Sequence, residues 1–179
     1  MITVSPSTDL AAIGALRHEA YGEQYDVSEF ENGLMLDPAD TTADVQHFTA
    51  VENGEVVGSF RIHHMKPLPL QSYWPEARPM NESIEMSRFC VAPNLVFAPK
   101  KYLILGKMVA MAGKWAEEHG IREIWTTAET KLKGTYAKLV GFEEMPLGAR
   151  SIPPGDNEIY LLRLDFGDVP RKRLKKLLA

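Results

Sequence analysis

One stretch decides both the fold and the candidate site: residues 84–91, IEMSRFCV. Its alternation predicts a β-strand, with Phe89 and Val91 on the face that also carries Glu85 and Ser87. The carboxylate of Glu85 and the guanidinium of Arg88 cost desolvation free energy in an apolar run unless each is paired or used. They therefore indicate either a buried structural ion pair or a site of chemistry.

The composition limits the classes of protein to consider. The 179 residues are 45% hydrophobic and carry a net charge of −4. This predicts a single domain over residues 1–179 with a sizeable core, no nucleic-acid partner and no membrane span. The single cysteine, Cys90, and the absence of a secretory signal at the start predict a cytoplasmic location. His63 and His64 point to opposite faces of a strand, so no metal site is predicted.

The predicted elements follow an order typical of an α/β protein. A first strand over 2–4 leads into a helix that begins at Ser5-Pro6, and residues 22–44 form an acidic segment that we expect to be mobile. A basic tail covers 168–179. The remaining strands are predicted over 45–52, 55–64, 84–91, 121–128 and 158–166, and the remaining helices over 100–119 and 131–140. This order predicts a three-layer α/β sandwich with a mixed, largely antiparallel central sheet.

A second arginine lies in the predicted strand over 55–64. Its alternation places Val57, Ser59, Arg61 and His63 on one face. Arg61, like the arginine of the opening stretch, interrupts an apolar strand without a partner nearby in the sequence. We therefore expect both arginines to serve a site rather than stability alone.

Two stretches resemble the N-acetyltransferase-like (GNAT) fold. Residues 134–143, GTYAKLVGFE, are similar to the Tyr-x-Lys-x-Gly-Phe-Glu ending of that superfamily, with one residue inserted before the glycine. The hairpin strand that ends in Val57-Gly58-x-x-Arg61 is also typical of it. The glycine-rich pyrophosphate cradle is missing, because residues 92–99, APNLVFAP, contain no glycine. An ordinary acetyl-CoA enzyme is therefore not expected.

Four motifs in the first half of the chain resemble acyl-homoserine-lactone synthases, the quorum-sensing enzymes that share this fold and lack the same cradle. They are Leu16-Arg17-x-x-x-Tyr21, Asp37-x-x-Asp40, Gly58-x-x-Arg61 and Glu85-x-Ser87-Arg88-Phe89. The family has phenylalanine at the position of Tyr21 and tryptophan at the position of Val27. The related N-acyl amino acid synthases therefore remain an alternative.

The resemblance implies an N-acyltransferase. Acyl carrier protein or acyl-CoA would donate an acyl group to the amine of S-adenosylmethionine, and lactone closure would release methylthioadenosine. The alternatives are an N-acyltransferase that acts on a free amino acid, and a non-catalytic module that binds an acyl carrier or a ligand. All of these molecules would be substrates or partners, and no permanently bound cofactor is expected.

The resemblance also assigns roles to residues. Glu85 is the candidate base, because a buried carboxylate with a raised pKa can deprotonate an amine, and Arg88 and Ser87 complete the expected catalytic group. The guanidinium groups of Arg17, Arg61 and Arg88 suit a substrate carboxylate. Asp37 and Asp40 would attract the sulfonium of S-adenosylmethionine.

The remaining expectations concern the acyl donor. Tyr21 and Phe89 are expected to contact substrates, with the acyl chain in an apolar cleft between splayed strands, beside Phe89 and the helix that contains Met108 and Met111. Carrier proteins are acidic, so a basic patch is needed. The candidates for that patch are Lys100, Lys101, Lys107 and the tail over 171–176.

Overall fold

The computed structural model describes residues 1–22, 25–95, 98–152 and 157–165. Within these ranges the strands are β1 Ile2–Ser7, β2 Val45–Glu52, β3 Glu55–His63, β4 Ser83–Val91, β5 Glu123–Glu129, β6 Glu143–Glu144, β7 Arg150–Ser151 and β8 Glu158–Asp165. The helices are α1 Leu10–Gly22, α2 Ala98–Glu118 and α3 Thr130–Leu139. The basic tail predicted over 168–179 lies outside the described residues.

The eight strands of the described residues form one sheet. Its order is β1-β2-β3-β4-β5-β8-β6, and β7 pairs with β8. Only the pairing of β4 with β5 is parallel among these strands. Helix α1 packs on one face of the sheet, and α2 and α3 pack on the other. The predicted α/β sandwich with a mixed, largely antiparallel sheet is confirmed.

The main core lies between the sheet and helices α2 and α3. The apolar stripe of α2 meets inward side chains of β2, β3 and β4, which include Phe48, Phe60 and Met86. A Cβ atom on Gly58 would lie 3.0 Å from Ile104 and 3.0 Å from Met108 of α2. Glycine at this position therefore lets α2 approach the centre of the sheet closely.

The start of α1 differs from the prediction. Ser5 and Pro6 belong to β1, which pairs with β2 as far as Ser7. The helix instead begins after Asp9, whose carboxylate accepts a 3.0 Å hydrogen bond from the backbone N–H of Ala12. Proline is tolerated because β1 is the edge strand of the sheet.

A bulge in β3 changes the predicted faces of that strand. The register passes from Ala50–Gly58 to Val51–Val56, so Val57 is an extra residue. Val57 therefore packs in the main core, whereas Ser59, Arg61 and His63 lie on the opposite face. The prediction that Val57 shares their face is wrong.

A bulge in β4 has a larger effect, because it falls within the stretch that carries the predicted site. The register passes from Arg61–Ser87 to Ser59–Cys90, which leaves one extra residue on β4, and Arg88 there has a φ of 53°. Phe89 and Val91 consequently pack against the main core, opposite to Glu85 and Ser87. The prediction of a shared face is therefore wrong, since alternation fails across a bulge.

The proline-rich segment between β3 and β4 covers the face of the sheet that bears Glu85. Leu68, Leu70 and Trp74 of this segment pack with Trp125 of β5 and Leu161 of β8 in a second, smaller core. The indole N–H of Trp74 donates to the carbonyl oxygen of Gly148 at 3.1 Å. This packing turns the Glu85 face into the wall of a cavity.

Candidate active site

A buried network of arginines and aspartates joins helix α1, strands β3 and β4, and the connection between α1 and β2 that carries Asp37 and Asp40. Arg17 of α1 donates from Nη1 to both carboxylate oxygens of Asp40 at 2.9 Å. Arg61 of β3 donates from Nη1 to Asp40 at 2.8 Å and to Asp37 at 2.7 Å. Arg88, at the bulge of β4, donates from Nε and Nη2 to Asp37 Oδ2 at 3.2 and 2.9 Å. The motifs that were predicted separately thus meet in one cluster.

The network carries excess positive charge. Burial would raise the pKa of Asp37, but hydrogen bonds and charge from Arg61 and Arg88 outweigh it and hold that pKa well below its usual range. The pKa of Asp40 is also lowered, since Arg17 and Arg61 oppose the effect of burial. With both carboxylates ionised, three guanidinium groups face two carboxylates, which leaves a net charge of +1.

Glu85 lies on β4 directly across from His63 of β3 and beside Trp125 of β5. Only 6% of its surface is exposed, and its Oε2 accepts a 2.7 Å hydrogen bond from the backbone N–H of Leu70. Burial raises the pKa of Glu85 to about 7, and the N–H of Leu70 and the nearby Arg61 limit that rise. The carboxyl group can therefore exchange a proton near neutral pH.

A polar cavity opens in front of Glu85. Its volume is about 710 Å³, and its wall includes side chains from the arginine–aspartate network and from the proline-rich segment. The charged or ionisable groups that line it are those of Asp37, Arg61, His63, Tyr73, Glu85, Arg88 and Tyr21. We name it the acceptor cavity, because it holds a candidate base, Glu85, and the two arginines Arg61 and Arg88.

A second, more apolar cavity lies between the ends of β4 and β5. Pairing of these strands stops at Met86 and Thr126, although both strands continue. The cavity of about 430 Å³ lies between the unpaired ends. Its wall includes Phe89, Val91, Leu105, Ala128, Leu132 and Tyr136. We name it the acyl cavity, since this lining suits a hydrocarbon chain.

The two cavities share a boundary at the bulge of β4. Tyr21, Ser87, Arg88 and Thr127 line both cavities, as does Ile152. Arg61 Nε donates to Ser87 Oγ at 3.1 Å, which fixes Ser87 at this boundary. A group in the acyl cavity can thus meet a group in the acceptor cavity beside Ser87 and Glu85.

The predicted site residues occupy different positions around the two cavities. Tyr21 lies at the boundary, where its hydroxyl donates to the carbonyl oxygen of Phe89 at 3.2 Å. Arg17 is 1% exposed and lies behind the network rather than on a cavity wall. Met108 is fully buried in the main core, so the part of α2 beside the acyl cavity is formed instead by Lys101, Tyr102 and Leu105.

Thr127 and Tyr136 are among the cavity-wall residues that were not predicted as site residues. Thr127 of β5 lies at the boundary, and no sequence motif marks it. Tyr136 of α3 contacts Phe89 with a ring-centroid distance of 6.4 Å, and burial raises its pKa. Tyr136 belongs to the stretch 134–143, so that motif was the available signal.

The predicted basic patch is divided. Lys101 is exposed at the acyl cavity, next to Tyr102 and Leu103 on the surface of α2. Lys100 pairs with Glu52 at 2.6 Å, and Lys107 is partly buried. The tail over 171–176 lies outside the described residues.

Over the described residues, no three His, Cys, Asp or Glu side chains are grouped as a metal site would need. In the same part of the chain, none of the helices combines the length and apolar character of a membrane span.

The fold is N-acetyltransferase-like, as predicted from the sequence, and the family that matches the chain is one of acyltransferases. The chain belongs to the family described as N-acyl amino acid synthase FeeM, whose profile matches residues 12–165. The sequence left this family open as the alternative to the acyl-homoserine-lactone synthases. No curated protein matches the chain.

Solved structures share the fold at low sequence identity. TofI in a ternary complex with an inhibitor and MTA has a TM-score of 0.75 and 18% identity, over 98% of this chain and 96% of that chain. The CoA-dependent acyl-homoserine lactone synthase BjaI with MTA has a TM-score of 0.74 and 19% identity, over 99% and 87%. FeeM, an N-acyl amino acid synthase from uncultured soil microbes, has a TM-score of 0.62 and 16% identity, over 94% of each chain. At these identities the likeness concerns the fold.

Proposed function

We propose that this protein transfers an acyl group from a thioester to the amine of an amino acid and so forms an N-acyl amino acid. The observation that carries the proposal is the position of Glu85. It lies on the wall of a polar cavity that also carries Arg61 and Arg88, two residues before the boundary with a more apolar cavity. Membership of the N-acyl amino acid synthase family supports the same reaction.

Glu85 is the proposed general base. An amino acid enters with a protonated amine, and the carboxylate of Glu85 accepts one proton. The free amine attacks the thioester carbonyl and a carbon–nitrogen bond forms. The carbon–sulfur bond then breaks, and the nitrogen loses its second proton to solvent. The leaving thiolate takes a proton, which Glu85 can return. The net products are an amide, a thiol and one proton released to solvent.

Arg88 is the proposed partner of the acceptor's carboxylate. Its guanidinium lines the acceptor cavity, and its side chain is 28% exposed, whereas that of Arg61 is 7% exposed. The network of three guanidinium groups and two carboxylates has a net charge of +1, which one substrate carboxylate neutralises. Binding of the carboxylate at Arg88 would leave the amine near Glu85.

S-adenosylmethionine is a second candidate acceptor. Residues from all four motifs that resemble acyl-homoserine-lactone synthases meet in the network around Asp37 and Asp40. Both aspartates are bonded to arginines, however, so neither offers a free carboxylate to a sulfonium. We therefore place the free amino acid first, because it has no sulfonium that would need a free carboxylate.

An acyl carrier protein is the proposed donor, with acyl-CoA as the alternative. Tyr102, Leu103 and Leu132 expose 42–52% of their surface, and Tyr102 and Leu132 also line the acyl cavity. Lys101 is exposed beside them and lines the same cavity. A basic residue next to an apolar opening suits an acidic carrier that delivers a hydrocarbon chain.

A competition experiment tests the proposal. The purified protein is incubated with one acyl-loaded carrier protein, an equimolar mixture of the twenty amino acids, and S-adenosylmethionine. Products are resolved by mass spectrometry, and methylthioadenosine is measured in the same sample. An N-acyl amino acid without methylthioadenosine supports the proposal. A lactone with equimolar methylthioadenosine supports the second candidate, and fatty acid alone contradicts both.

A further inference from the structure

One histidine on the wall of the acceptor cavity has no role in the reaction as described above. His63 is the last residue of β3, and its direct partner across the strand pair is Glu85. Side chains at directly opposed positions lie on the same face of a sheet, roughly 5 Å apart at Cβ. Both side chains line the acceptor cavity. His63 is therefore the nearest neighbour of the candidate base on β3.

The imidazole of His63 is buried and incompletely bonded. The residue is 1% exposed, and its Nε2 has no hydrogen-bond partner among the described residues. Its Nδ1 lies 3.9 Å from Asp44 Oδ2. Leaving a buried polar atom unpaired costs roughly 1–3 kcal/mol, so such atoms are rare in folded proteins. His63 lines the cavity, but Nε2 itself is buried, so a ligand group would reach it through a small shift of the cavity wall. An acceptor atom that pairs only when a ligand binds is one physical reason for leaving it unpaired.

The charge around His63 determines what its nitrogen atoms can do. Burial and the neighbouring guanidinium of Arg61 lower its pKa to about 4, so the ring is neutral at physiological pH. A neutral imidazole has one N–H donor and one lone pair. The carboxylate of Asp44 on the Nδ1 side favours the proton at Nδ1, which leaves the lone pair at Nε2.

We propose that His63 Nε2 accepts a hydrogen bond from the ammonium group of the acceptor, and so holds that group against Glu85. An ammonium group has three protons, of which Glu85 takes one and His63 orients another. Together with Arg88 at the substrate carboxylate, this gives three fixed points for an α-amino acid. The inference rests on the proposed function, which supplies the amine, but it adds a binding residue that no sequence motif marks.

Three variants test this role. His63→Phe keeps a ring of similar size and removes the acceptor atom, whereas His63→Gln keeps an acceptor oxygen. His64→Phe is the matched control, because His64 is the next residue and instead contacts the ring of Trp115. The probe is L-methionine, which has the α-ammonium and α-carboxylate groups common to free amino acids and S-adenosylmethionine. Its binding is measured by calorimetry, and KM and kcat are measured with an acyl-loaded carrier protein.

The expected result is a specific loss on the acceptor side. His63→Phe should weaken L-methionine binding and raise its KM by about tenfold to a hundredfold, as expected for one hydrogen bond to a charged group. The KM for the acyl donor should stay at the wild-type value. His63→Gln should keep L-methionine binding within about threefold of wild type, because its side-chain oxygen can accept the same hydrogen bond. His64→Phe should match wild type in both constants.

Other outcomes separate this inference from the proposed function. Wild-type binding in His63→Phe, in a protein that forms N-acyl products, would overturn the role of His63 and leave the function standing. Equal losses in His63→Phe and His63→Gln would also overturn it, because the acceptor atom would then not matter. Selective loss of L-methionine binding in His63→Phe, in a protein that forms no N-acyl product, would support the amine site and refute the acyl transfer.

Discussion

Replacing Glu85 with glutamine isolates proton acceptance at the centre of the site. Glutamine has nearly the same size, and its amide oxygen can accept the 2.7 Å hydrogen bond from the N–H of Leu70. What it loses is a carboxyl group whose pKa burial raises from 4.5 to about 7. The change therefore alters ionisation with little change in packing.

The expected effect on activity follows from the role of a general base. Turnover by Glu85→Gln at pH 8 should fall by about 100- to 10,000-fold, the usual contribution of such a base. Only the ionised carboxylate accepts a proton, so the wild-type rate should rise with pH and level off above about 7. The residual rate of the variant should lack this inflection, while the affinity for both substrates largely survives.

The same pKa predicts a gain in stability. Between pH 4.5 and 7 the folded wild type keeps a proton that the unfolded chain releases, so its free energy of unfolding falls as pH rises through this window. A shift of this size corresponds to roughly 3 kcal/mol. Glu85→Gln does not bury an ionised carboxylate, so above pH 7 its melting temperature should exceed that of wild type by up to about 6–12 °C. Below pH 4.5 the two should melt together.

Single-turnover acylation checks the predicted rate, and thermal melting checks the predicted stability. Both are measured from pH 4 to pH 9, a range that ends roughly two units above the pKa of Glu85. Glu82→Gln is the control, because it removes a carboxylate from an exposed position three residues earlier. It should leave both profiles unchanged. A Glu85→Gln variant with the wild-type rate and pH profile would remove Glu85 from catalysis. If Glu85→Gln is no more stable than wild type above pH 7, burial does not destabilise the ionised carboxylate of Glu85, which would contradict its raised pKa.

Further predictions concern the charged network, the acidic segment and the acyl cavity. Arg88→Gln should melt near the wild-type temperature and raise the acceptor KM by at least about tenfold, since it loses a charge-assisted contact. Arg61→Gln should lose roughly 3–5 kcal/mol of stability in chemical denaturation, because it leaves buried carboxylates underpaired. Hydrogen exchange over residues 26–44 should slow when an acceptor binds, because Arg88 links this segment to the acceptor cavity; unchanged exchange would contradict that link. Leu132→Glu should weaken acyl-donor binding by about tenfold in a titration, because it places a charge at the acyl cavity. Leu103→Glu should weaken it less, because Leu103 is also exposed but does not line that cavity.

Much of the fold follows from local patterns. Asn53-Gly54 predicted the hairpin turn, and both residues have positive φ there. The apolar stripe of α2 predicted the helix that covers the sheet. The bulges at Val57 and Arg88 were not predictable, because one inserted residue leaves each half of a strand with normal alternation. The faces assigned to Val57 and Phe89 were wrong for this reason.

The candidate site was only partly visible in the sequence. Glu85 was identified because a carboxylate in an apolar strand costs desolvation free energy unless it is paired or used. The pairing of Asp37 with Arg88 spans 51 residues, so no local pattern indicates it. The unpaired nitrogen of His63 and the position of Thr127 at the boundary depend on how strands meet, which only the fold determines.

The most direct test of the central claim is the fate of a single acyl group. A carrier protein loaded with a carbonyl-¹³C acyl group is mixed with excess enzyme and ¹⁵N-labelled amino acids, and the products of one turnover are examined by NMR. The account predicts one ¹³C–¹⁵N amide for each thioester consumed, together with one free carrier thiol. Release of labelled fatty acid without an amide, or retention of the acyl group on the enzyme, would contradict it.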